Sequence, residues 1–452
     1  MSAMTLRDLR LCFEGAVPAV IATASADGTP NITYLSRVRY VDDERVALSN
    51  QFFSKTQRNL AENPRASVLL IHPLTYDEFR LTLVYERTER RGAVFDRLRE
   101  DVDTVAVLHR MQDVFKLRAA DIYRVTDIEP IRVMTAEDDR ADVVDTAHHE
   151  PARAVRLGEL TARLTRCPDL DALVSATVNG LAELLGYEHS LLLLLDEQGS
   201  TLYTIASRGF DAQGVGSEVR VGDGIIGMAA ARCTPIRIGN LRQMTKYGHT
   251  VHRVYEGVEG PGFDIPVPAM PKPQSRVAVP AMALGQLVGV LVVESTDAVA
   301  FDETDESLLT VVASVVANAV ELQRAQARDD TTPSASGAPS AVAPGERSTL
   351  VRFFNVDGST FLDGDYLIKG VAGRILWSLL GAYEREGRAE FTNREVRLDP
   401  SLELPEFRDN FESRLILLKR RLEERDAPIQ IEKAGRGRFR LVVDGAVRLE
   451  AV

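Results

Sequence analysis

The sequence predicts a multidomain α+β protein built from three folded units. A chain of 452 residues is too long for a single hydrophobic core. Residues 328–348 are rich in Pro, Ser, Ala and Gly and contain no Leu, Ile or aromatic residue, as in a linker. A second boundary, polar and acidic, lies near residues 135–153. The predicted units are therefore residues 1–135, 153–327 and 349–452, each large enough to fold alone.

The bulk composition is that of a soluble globular protein, with 45% hydrophobic and 27% charged residues. The formal net charge of −12 argues against a protein that covers nucleic acid or an anionic membrane with its whole surface. It still allows one basic face. The longest apolar stretch, residues 277–294, is interrupted by Pro280, Gly285 and Gly289, which favours a strand hairpin over a membrane span. Because the N-terminus has no signal-peptide pattern either, we expect a cytoplasmic protein without a membrane partner.

The three cysteines, Cys12, Cys167 and Cys233, are far apart and form no pattern of metal ligands. Sparse cysteine is typical of a reducing compartment. The sequence therefore predicts no metal site.

The first unit has the pattern of a small antiparallel barrel. An apolar run at residues 17–24 precedes Asp27-Gly28, a hairpin-turn signal, and further strand-like runs follow. A short helical stretch, SKTQRNLAENP, ends at Pro64, and a longer helix is predicted over residues 93–109. Antiparallel strands with one short helix between them are typical of small barrels.

One segment of this unit, LSNQFFSKTQRNLAENPRASVLLI, resembles the pyridoxamine 5′-phosphate oxidase-like FMN-binding split barrels. The similarity covers residues 10–130 in order and spacing. The matching residues are Asn50, Ser54, Lys55, Asn59 and Asn63-Pro64-Arg65.

The resemblance implies a cofactor site, with FMN as the expected cofactor. A flavin phosphate needs hydroxyl donors, a cation and free N–H groups at a helix start, and Ser54, Lys55 and Thr56 supply these. The alternative interpretation is an N-cap beside a solvated lysine. Related barrels bind a deazaflavin or haem instead, or no cofactor. The predicted cofactor-binding residues are Thr33, Tyr34, Leu35, Ser36, Asn50, Ser54, Lys55, Thr56 and Asn59.

No catalytic residue is predicted in the first unit. The C-terminal arginine signature of the vitamin-forming oxidases is missing, because the unit ends IYRVTDIEPIRV, so we do not expect oxidation of pyridoxine phosphate. His72 and His109 each stand alone, and we interpret them as core or surface residues in preference to haem ligands.

The second unit alternates helices and strands and resembles a GAF domain over its whole length. The resemblance implies an α/β sandwich whose cup holds a small-molecule ligand. Glycine allows the sharp turn from strand to helix at residues 222–227, and Asp302 caps the last helix. The residues that carry the resemblance are the run Gly222–Gly227, Ala230 to Arg232, Pro235-Ile236, the run Ser275–Pro280, Gly285, Gly289 and Phe301-Asp302.

Three further features of the second unit could bind a ligand or contact a second subunit. Cys233 has no match to the family's tetrapyrrole-binding cysteine, and we interpret it as a packed thiol. His249 and His252 lie in an unusually long loop, residues 241–274, and are interpreted as solvated in preference to metal or haem ligands. An apolar stripe along residues 308–322 packs either on its own domain or against a second subunit.

The third unit begins with strands, continues with three helices and ends with a hairpin, and it resembles the response-regulator (OmpR-type) winged helix. Basic residues outnumber acidic ones in the last helix and the hairpin, which would offer phosphates a cradle of two elements. The alternative is a charged, solvated helix face. The predicted DNA-binding residues are Arg414, Lys419, Arg420, Arg421, Lys433, Arg436 and Arg438.

These units favour a one-component transcriptional regulator that senses a flavin and a small ligand and binds double-stranded DNA. We expect a homodimer, because split barrels of this type complete their cofactor site across a two-fold axis. One alternative is an FMN-dependent oxidoreductase with accessory domains. Another is a signalling scaffold that binds protein.

Overall fold

The computed structural model describes residues 4–14, 17–51, 54–108, 116–132, 150–239, 265–270, 273–329, 348–402, 404, 411–435 and 437–452. Their strands form separate sheets, and these sheets follow one another along the chain in the order of the three predicted units.

The first unit is a curled antiparallel sheet of seven strands in the order β2-β1-β5-β6-β7-β4-β3. Buried and partly exposed residues alternate along β1 and β5, as expected for strands with one face on a core. This confirms the antiparallel sheet with a short helix that the sequence predicts. Its elements are β1 (Ala19–Ala24), β2 (Pro30–Leu35), β3 (Val38–Tyr40), β4 (Arg45–Asn50), α1 (Ser54–Glu62), β5 (Arg65–Ile71), β6 (Glu78–Glu89), α2 (Ala93–Leu108) and β7 (Ala119–Arg132).

The second unit is an antiparallel sheet of six strands in the order β10-β9-β8-β13-β12-β11. Helices α3, α4 and α6 pack on one face of the sheet, and α5 packs on the other. The elements are α3 (Glu150–Leu164), α4 (Leu170–Leu185), β8 (His189–Leu195), β9 (Thr201–Arg208), β10 (Glu218–Arg220), α5 (Gly224–Arg232), β11 (Ile236–Ile238), β12 (Ser275–Ala283), β13 (Gln286–Ser295) and α6 (Glu303–Asp329).

One helix of the second unit is not as predicted. The sequence predicts a single helix from Val155 to about Leu185, but the structure has two, because Asp169 caps the start of α4. Its carboxylate accepts a hydrogen bond from the Ala172 N–H at 2.8 Å. The chain then leaves α4 at Gly186 with φ of 78°, a left-handed conformation that glycine adopts without strain.

The apolar stripe of α6 packs mainly within its own chain. Leu309, Val312 and Val316 are buried in the core against the sheet, whereas Leu322 is exposed near the end of the helix. Among the described residues, the portion Glu303–Gln326 is long and apolar enough to cross a membrane. A core helix of a soluble protein passes the same test, so this finding is a weak indication of a span.

The third unit contains a four-stranded sheet, β16-β15-β14-β20, and a three-stranded sheet, β17-β19-β18. The terminal strand β20, which the sequence does not predict, pairs in parallel with β14 and closes the unit. The elements are β14 (Ser348–Phe354), β15 (Ser359–Leu362), β16 (Asp365–Ile368), α7 (Gly370–Glu386), β17 (Glu390–Thr392), α8 (Asn393–Arg397), α9 (Phe411–Glu424), β18 (Ile429–Gly435), β19 (Arg438–Val443) and β20 (Ala446–Ala451).

The second and third units share one continuous apolar cluster. It runs from Tyr203 and Val215 in the second unit to Leu367, Ile368 and Leu417 in the third. The two units are therefore docked against each other, and α9 lies at their junction.

Candidate functional site

The candidate cofactor site lies where β4 ends and α1 begins. Strand β4 ends at Asn50, and α1 begins at Ser54 after a short connection. The Lys55 side chain is exposed in the first turn of α1. The first N–H groups of a helix have no partner within it and carry a partial positive charge, so an anion can bind there beside Lys55.

Two residues of the predicted set face the barrel and not the solvent. Thr56 Oγ1 accepts a hydrogen bond from Asn31 Nδ2 at 3.0 Å, and Asn59 Nδ2 donates to Thr23 Oγ1 at 3.1 Å. Both side chains are buried. They fasten α1 to β1 and β2, so their role at the site is to position the start of the helix.

Asn50 belongs to a buried polar network. Its Nδ2 donates to Asp121 Oδ2 at 2.9 Å, and Thr88 Oγ1 donates to the other carboxylate oxygen at 2.5 Å. Burial raises the pKa of Asp121, and these two hydrogen bonds offset only part of the shift. The amide group of Asn50 is therefore already committed to Asp121.

Gln51 is a site residue that sequence reasoning missed. Its side chain is buried, and its Oε1 accepts a hydrogen bond from Ser36 Oγ at 3.2 Å. Its Nε2 has no hydrogen-bond partner among the described residues. An unpaired buried donor costs about 1–3 kcal/mol. The sequence feature that could have identified Gln51 is its position next to Asn50, inside the segment that carries the family resemblance.

Strand β2 turns its predicted flavin-contacting residues in different directions. Leu35 is buried in the barrel core, so only its backbone can reach a ligand outside the barrel. Tyr34 is 67% exposed, and Thr33 is half-buried. Ser36 holds the Gln51 side chain in place.

These groups are of the kind that bind an anionic group. They combine a cation at Lys55, the start of α1 and the unpaired Nε2 donor of Gln51. A flavin bound there would supply the redox chemistry, and the residues of this chain would bind and orient it.

A cleft of about 850 Å³ lies between the first and second units, lined by residues of both. Ion pairs bridge the two sides of this cleft. Arg237 of β11 binds Glu14 of the first unit and also Glu306, with 3.3 Å between Nε and Oε2. Arg39 lies 3.6 Å from Glu303 at the start of α6. These contacts connect the candidate cofactor domain to the last helix of the second unit.

The face of the six-stranded sheet that α5 covers, called here the cup face, combines an apolar floor with a buried ion pair. Beneath α5, side chains such as Leu193 and Val292 are fully buried. At one end of this face the Glu294 carboxylate pairs with Arg276 and accepts a hydrogen bond from the Met270 N–H at 3.2 Å. Most of the long loop over residues 241–274, with His249 and His252, lies outside the described residues.

The interpretation of Cys233 as a packed thiol is wrong. Cys233 is exposed and ends α5 with φ of 53°, a left-handed conformation that carries its side chain away from the core. His72 is half-buried, and its Nδ1 accepts a hydrogen bond from the Thr75 N–H at 3.1 Å, so it stabilises a turn. Burial lowers the pKa of His72. His109 lies outside the described residues.

The predicted DNA-binding residues of α9 mostly face the second unit. Arg414 donates two hydrogen bonds to Glu197, at 2.8 and 2.6 Å. Lys419 and Arg420 both bind Asp171, at 2.9 and 2.7 Å. In this arrangement three cations of α9 are paired with carboxylates of the second unit.

The other predicted DNA-binding residues have different surroundings. Arg421 is buried in its own unit, where its Nε donates to the Leu367 carbonyl oxygen at 2.9 Å. Lys433 of β18 pairs with Asp169 at the start of α4. Arg438 is exposed, and Arg436 lies outside the described residues.

Comparison with protein families assigns two of the three units. Residues 7–125 match the family model of pyridoxamine 5′-phosphate oxidase, and residues 169–320 match that of the GAF domain. The protein is therefore a mixed α/β multidomain protein of the ligand-sensing or flavin-related class. More particularly, it joins an N-terminal pyridoxamine 5′-phosphate oxidase-like domain to a central GAF domain, as the sequence predicts for these two units.

Individual similar proteins align with parts of the chain. An uncharacterised protein of Methanocaldococcus jannaschii is 38% identical over 50 residues, which is 11% of this chain and 34% of that protein. The chain thus spans about a third of that relative. A GAF domain from a Coxiella burnetii phosphoenolpyruvate-protein phosphotransferase is 20% identical with a TM-score of 0.31, covering 39% of this chain and 98% of that chain. An FMN-binding protein from Syntrophomonas wolfei is 17% identical with a TM-score of 0.24, covering 28% and 84%.

Proposed function

We propose that this chain is a cytoplasmic, one-component regulator. Its N-terminal domain binds FMN, its GAF cup binds a small ligand, and its third unit is a winged helix that binds double-stranded DNA. The pyridoxamine 5′-phosphate oxidase-like and GAF domains support the sensing half of this proposal.

The unpaired Nε2 of Gln51 carries the flavin assignment. A buried donor without an acceptor destabilises the folded protein, and packing gives no reason for it. An oxygen atom of a bound phosphate would accept this hydrogen bond and so remove the destabilisation. The donor belongs to the connection between β4 and α1, close in the chain to the exposed Lys55. A charged group and a buried neutral donor together favour an anionic ligand that is bound in one orientation.

Supporting the DNA assignment, the third unit has small sheets, the helices α7, α8 and α9, and the hairpin β18–β19 in the order expected of a winged helix. Its cations are concentrated on α9 and the hairpin. Lysine and arginine on two adjacent elements can bind phosphates along one groove of a duplex.

An exposed apolar edge supports the homodimer. Ile32 and Tyr34 of β2 are 70% and 67% exposed, and β2 is an edge strand of its sheet. An edge with apolar side chains favours pairing with a second copy. We therefore expect sedimentation to show a dimer for the parent protein and a shift towards monomer for Ile32→Lys. An equally stable dimer in Ile32→Lys, or a monomeric parent at micromolar concentration, would contradict this interface.

Titration of the full-length protein with FMN tests the flavin assignment. Lys55→Glu is expected to raise the dissociation constant about 10- to 100-fold, because it removes one charge-assisted hydrogen bond and adds a repulsive charge. Quenching of flavin fluorescence measures the affinity. Arg99→Glu, a charge reversal at an exposed cation of α2 outside the predicted set, should leave the affinity unchanged. A parent that binds no FMN, or a Lys55→Glu variant that binds as tightly, overturns the assignment.

Gln51→Leu provides a second test, because it is expected to weaken FMN binding without lowering the stability of the flavin-free protein. Leucine removes the unpaired donor, and the half-buried Ser36 hydroxyl that loses its acceptor can bind water instead, so the flavin-free protein should be about as stable as the parent in urea unfolding. The same change should weaken FMN binding, since the ligand loses its buried hydrogen bond. If both quantities fall together, Gln51 has a structural role only.

A further inference from the structure

We infer that the GAF domain occupies the DNA-binding face of α9, so that the structure is an autoinhibited state in which carboxylates of the GAF domain stand in for DNA phosphates. This inference rests on the proposed function of the third unit. The surface concerned, called here the docking surface, consists of Asp169, Asp171 and Glu197 of the GAF domain together with the N–H groups of Gly214 and Val215.

The centre of the docking surface is a buried ion pair. Arg414 and Glu197 are joined by two parallel hydrogen bonds, and their side chains are only 10% and 9% exposed. The guanidinium group also lies over the ring of Tyr203, 4.0 Å from its centroid. Burial alone would raise the pKa of Glu197, but the hydrogen bonds and charge of Arg414 outweigh burial and lower it. Glu197 is therefore charged, as a phosphate would be.

Asp171 holds the next turn of α9. Its carboxylate accepts hydrogen bonds from Lys419 Nζ at 2.9 Å and from Arg420 Nη2 at 2.7 Å. Arg420 donates in addition to Ser175 Oγ at 2.7 Å. The Nε and Nη2 donors of Arg420 are thus taken up by the GAF domain and cannot bind a DNA phosphate at the same time.

The docking surface also binds a carboxylate of α9. Glu424, the last residue of α9, accepts hydrogen bonds from the Gly214 and Val215 N–H groups at 2.8 and 3.2 Å. Leu417 is 2% exposed between the two units. A duplex therefore cannot reach the cations of α9 unless the GAF domain and the third unit first separate.

The segment that joins these two units in the chain has a characteristic composition. Only the chain between Asp329 and Ser348 joins α6 to β14, and its Pro-, Ser-, Ala- and Gly-rich composition is that of a linker. DNA and the docking surface then compete for the same cations. While the docked state dominates, a change in the GAF domain that weakens docking raises the apparent affinity for DNA by the same factor, because the two equilibria are linked.

The docking surface also touches the segment that leads into the GAF cup. A methyl group added to Gly214 would lie 2.5 Å from the ring of Pro268 and 2.9 Å from the Pro266 carbonyl oxygen. Two residues further on, the Met270 N–H binds Glu294 on the cup face. A ligand that moves this segment would press on the loop that holds Glu424, which gives the cup a route to α9.

The test removes two of the three carboxylate charges of the docking surface and leaves every cation of α9 unchanged. In the full-length protein, Asp171→Asn with Glu197→Gln is compared with the parent and with Glu183→Gln with Glu188→Gln. The control pair removes the same two charges from exposed positions of the GAF domain. Amide hydrogen exchange of residues 415–424 reports docking. Anisotropy of a labelled 30-base-pair duplex at low salt reports DNA binding.

For the docking-surface variant, we expect exchange in α9 to accelerate at least tenfold and DNA affinity to rise at least tenfold, with neither change in the control. Asp171→Lys, which sets a cation against Lys419 and Arg420, should act in the same direction. If α9 stays protected in both variants, or if the parent binds DNA as tightly as the variants do, autoinhibition is overturned while DNA binding can stand. If α9 opens and no DNA binds, the proposed DNA-binding function itself fails.

Discussion

Replacing Arg414 with alanine is expected to weaken the docking of the third unit by about 3–5 kcal/mol, because it leaves the Glu197 carboxylate buried without a partner. The loss of the contact with the Tyr203 ring acts in the same direction. A change of this size shifts the docking equilibrium more than 100-fold. It should appear as faster hydrogen exchange along α9 and as cleavage of the linker at lower protease concentration.

Arg440→Ala is the matched control for this prediction. Arg440 also pairs with a carboxylate, Glu390, but within its own unit and with both side chains about half exposed. Exposed pairs contribute about 0–1 kcal/mol, so exchange in α9 should not change. Equal effects of Arg414→Ala and Arg440→Ala would show that burial of the Arg414 pair is not what holds the two units together.

Gly289→Ala is expected to destabilise the GAF domain by about 3 kcal/mol. Gly289 lies in β13 opposite Leu194 of β8, at the centre of the six-stranded sheet. An added Cβ would lie 2.1 Å from the carbonyl oxygen of Leu193. Because that oxygen is part of the backbone, the neighbouring strand itself must move, which is the costly form of overpacking. Urea unfolding followed by circular dichroism measures the loss.

Gly158→Ala is expected to change the free energy of unfolding in the opposite direction in the same assay. Gly158 lies inside α3, is exposed, and an added Cβ meets no atom within 4 Å. Alanine should therefore stabilise the protein slightly, by about 0.5–1 kcal/mol, through its higher helix propensity. If Gly289→Ala proved as harmless as Gly158→Ala, the close approach of β8 and β13 would be wrong.

Local patterns in the sequence predicted the elements whose causes are local. The glycines at residues 222–227 indicated a sharp turn, and α5 does begin at Gly224 with φ of 98° at Gly222. Asp302 was expected to cap the last GAF helix, and its Oδ1 accepts hydrogen bonds from the N–H groups of Thr304 and Asp305. A cap or a turn depends on neighbours within about four residues, so the sequence displays it directly.

Elements that depend on distant partners were missed or misplaced. Strand β20 exists because β14, about a hundred residues earlier in the chain, offers it a parallel edge. Cys233 is exposed because the helix ends there in a left-handed conformation, which the run AARCTP does not predict. At the candidate cofactor site Lys55 is exposed, but the sequence could not show that Thr56 and Asn59 are turned inward.

By itself, the sequence determined the curled antiparallel sheet, the GAF domain and a cluster of cations on the last helix of the chain, and it predicted a division into three units. Only the tertiary structure decided what those cations bind. Arg414 and Glu197 are 217 residues apart in the chain, and Arg420 and Asp171 are 249 apart. An ion pair between distant residues produces no periodic pattern in the sequence around either partner. It depends on where two folded surfaces meet and on how completely they exclude water.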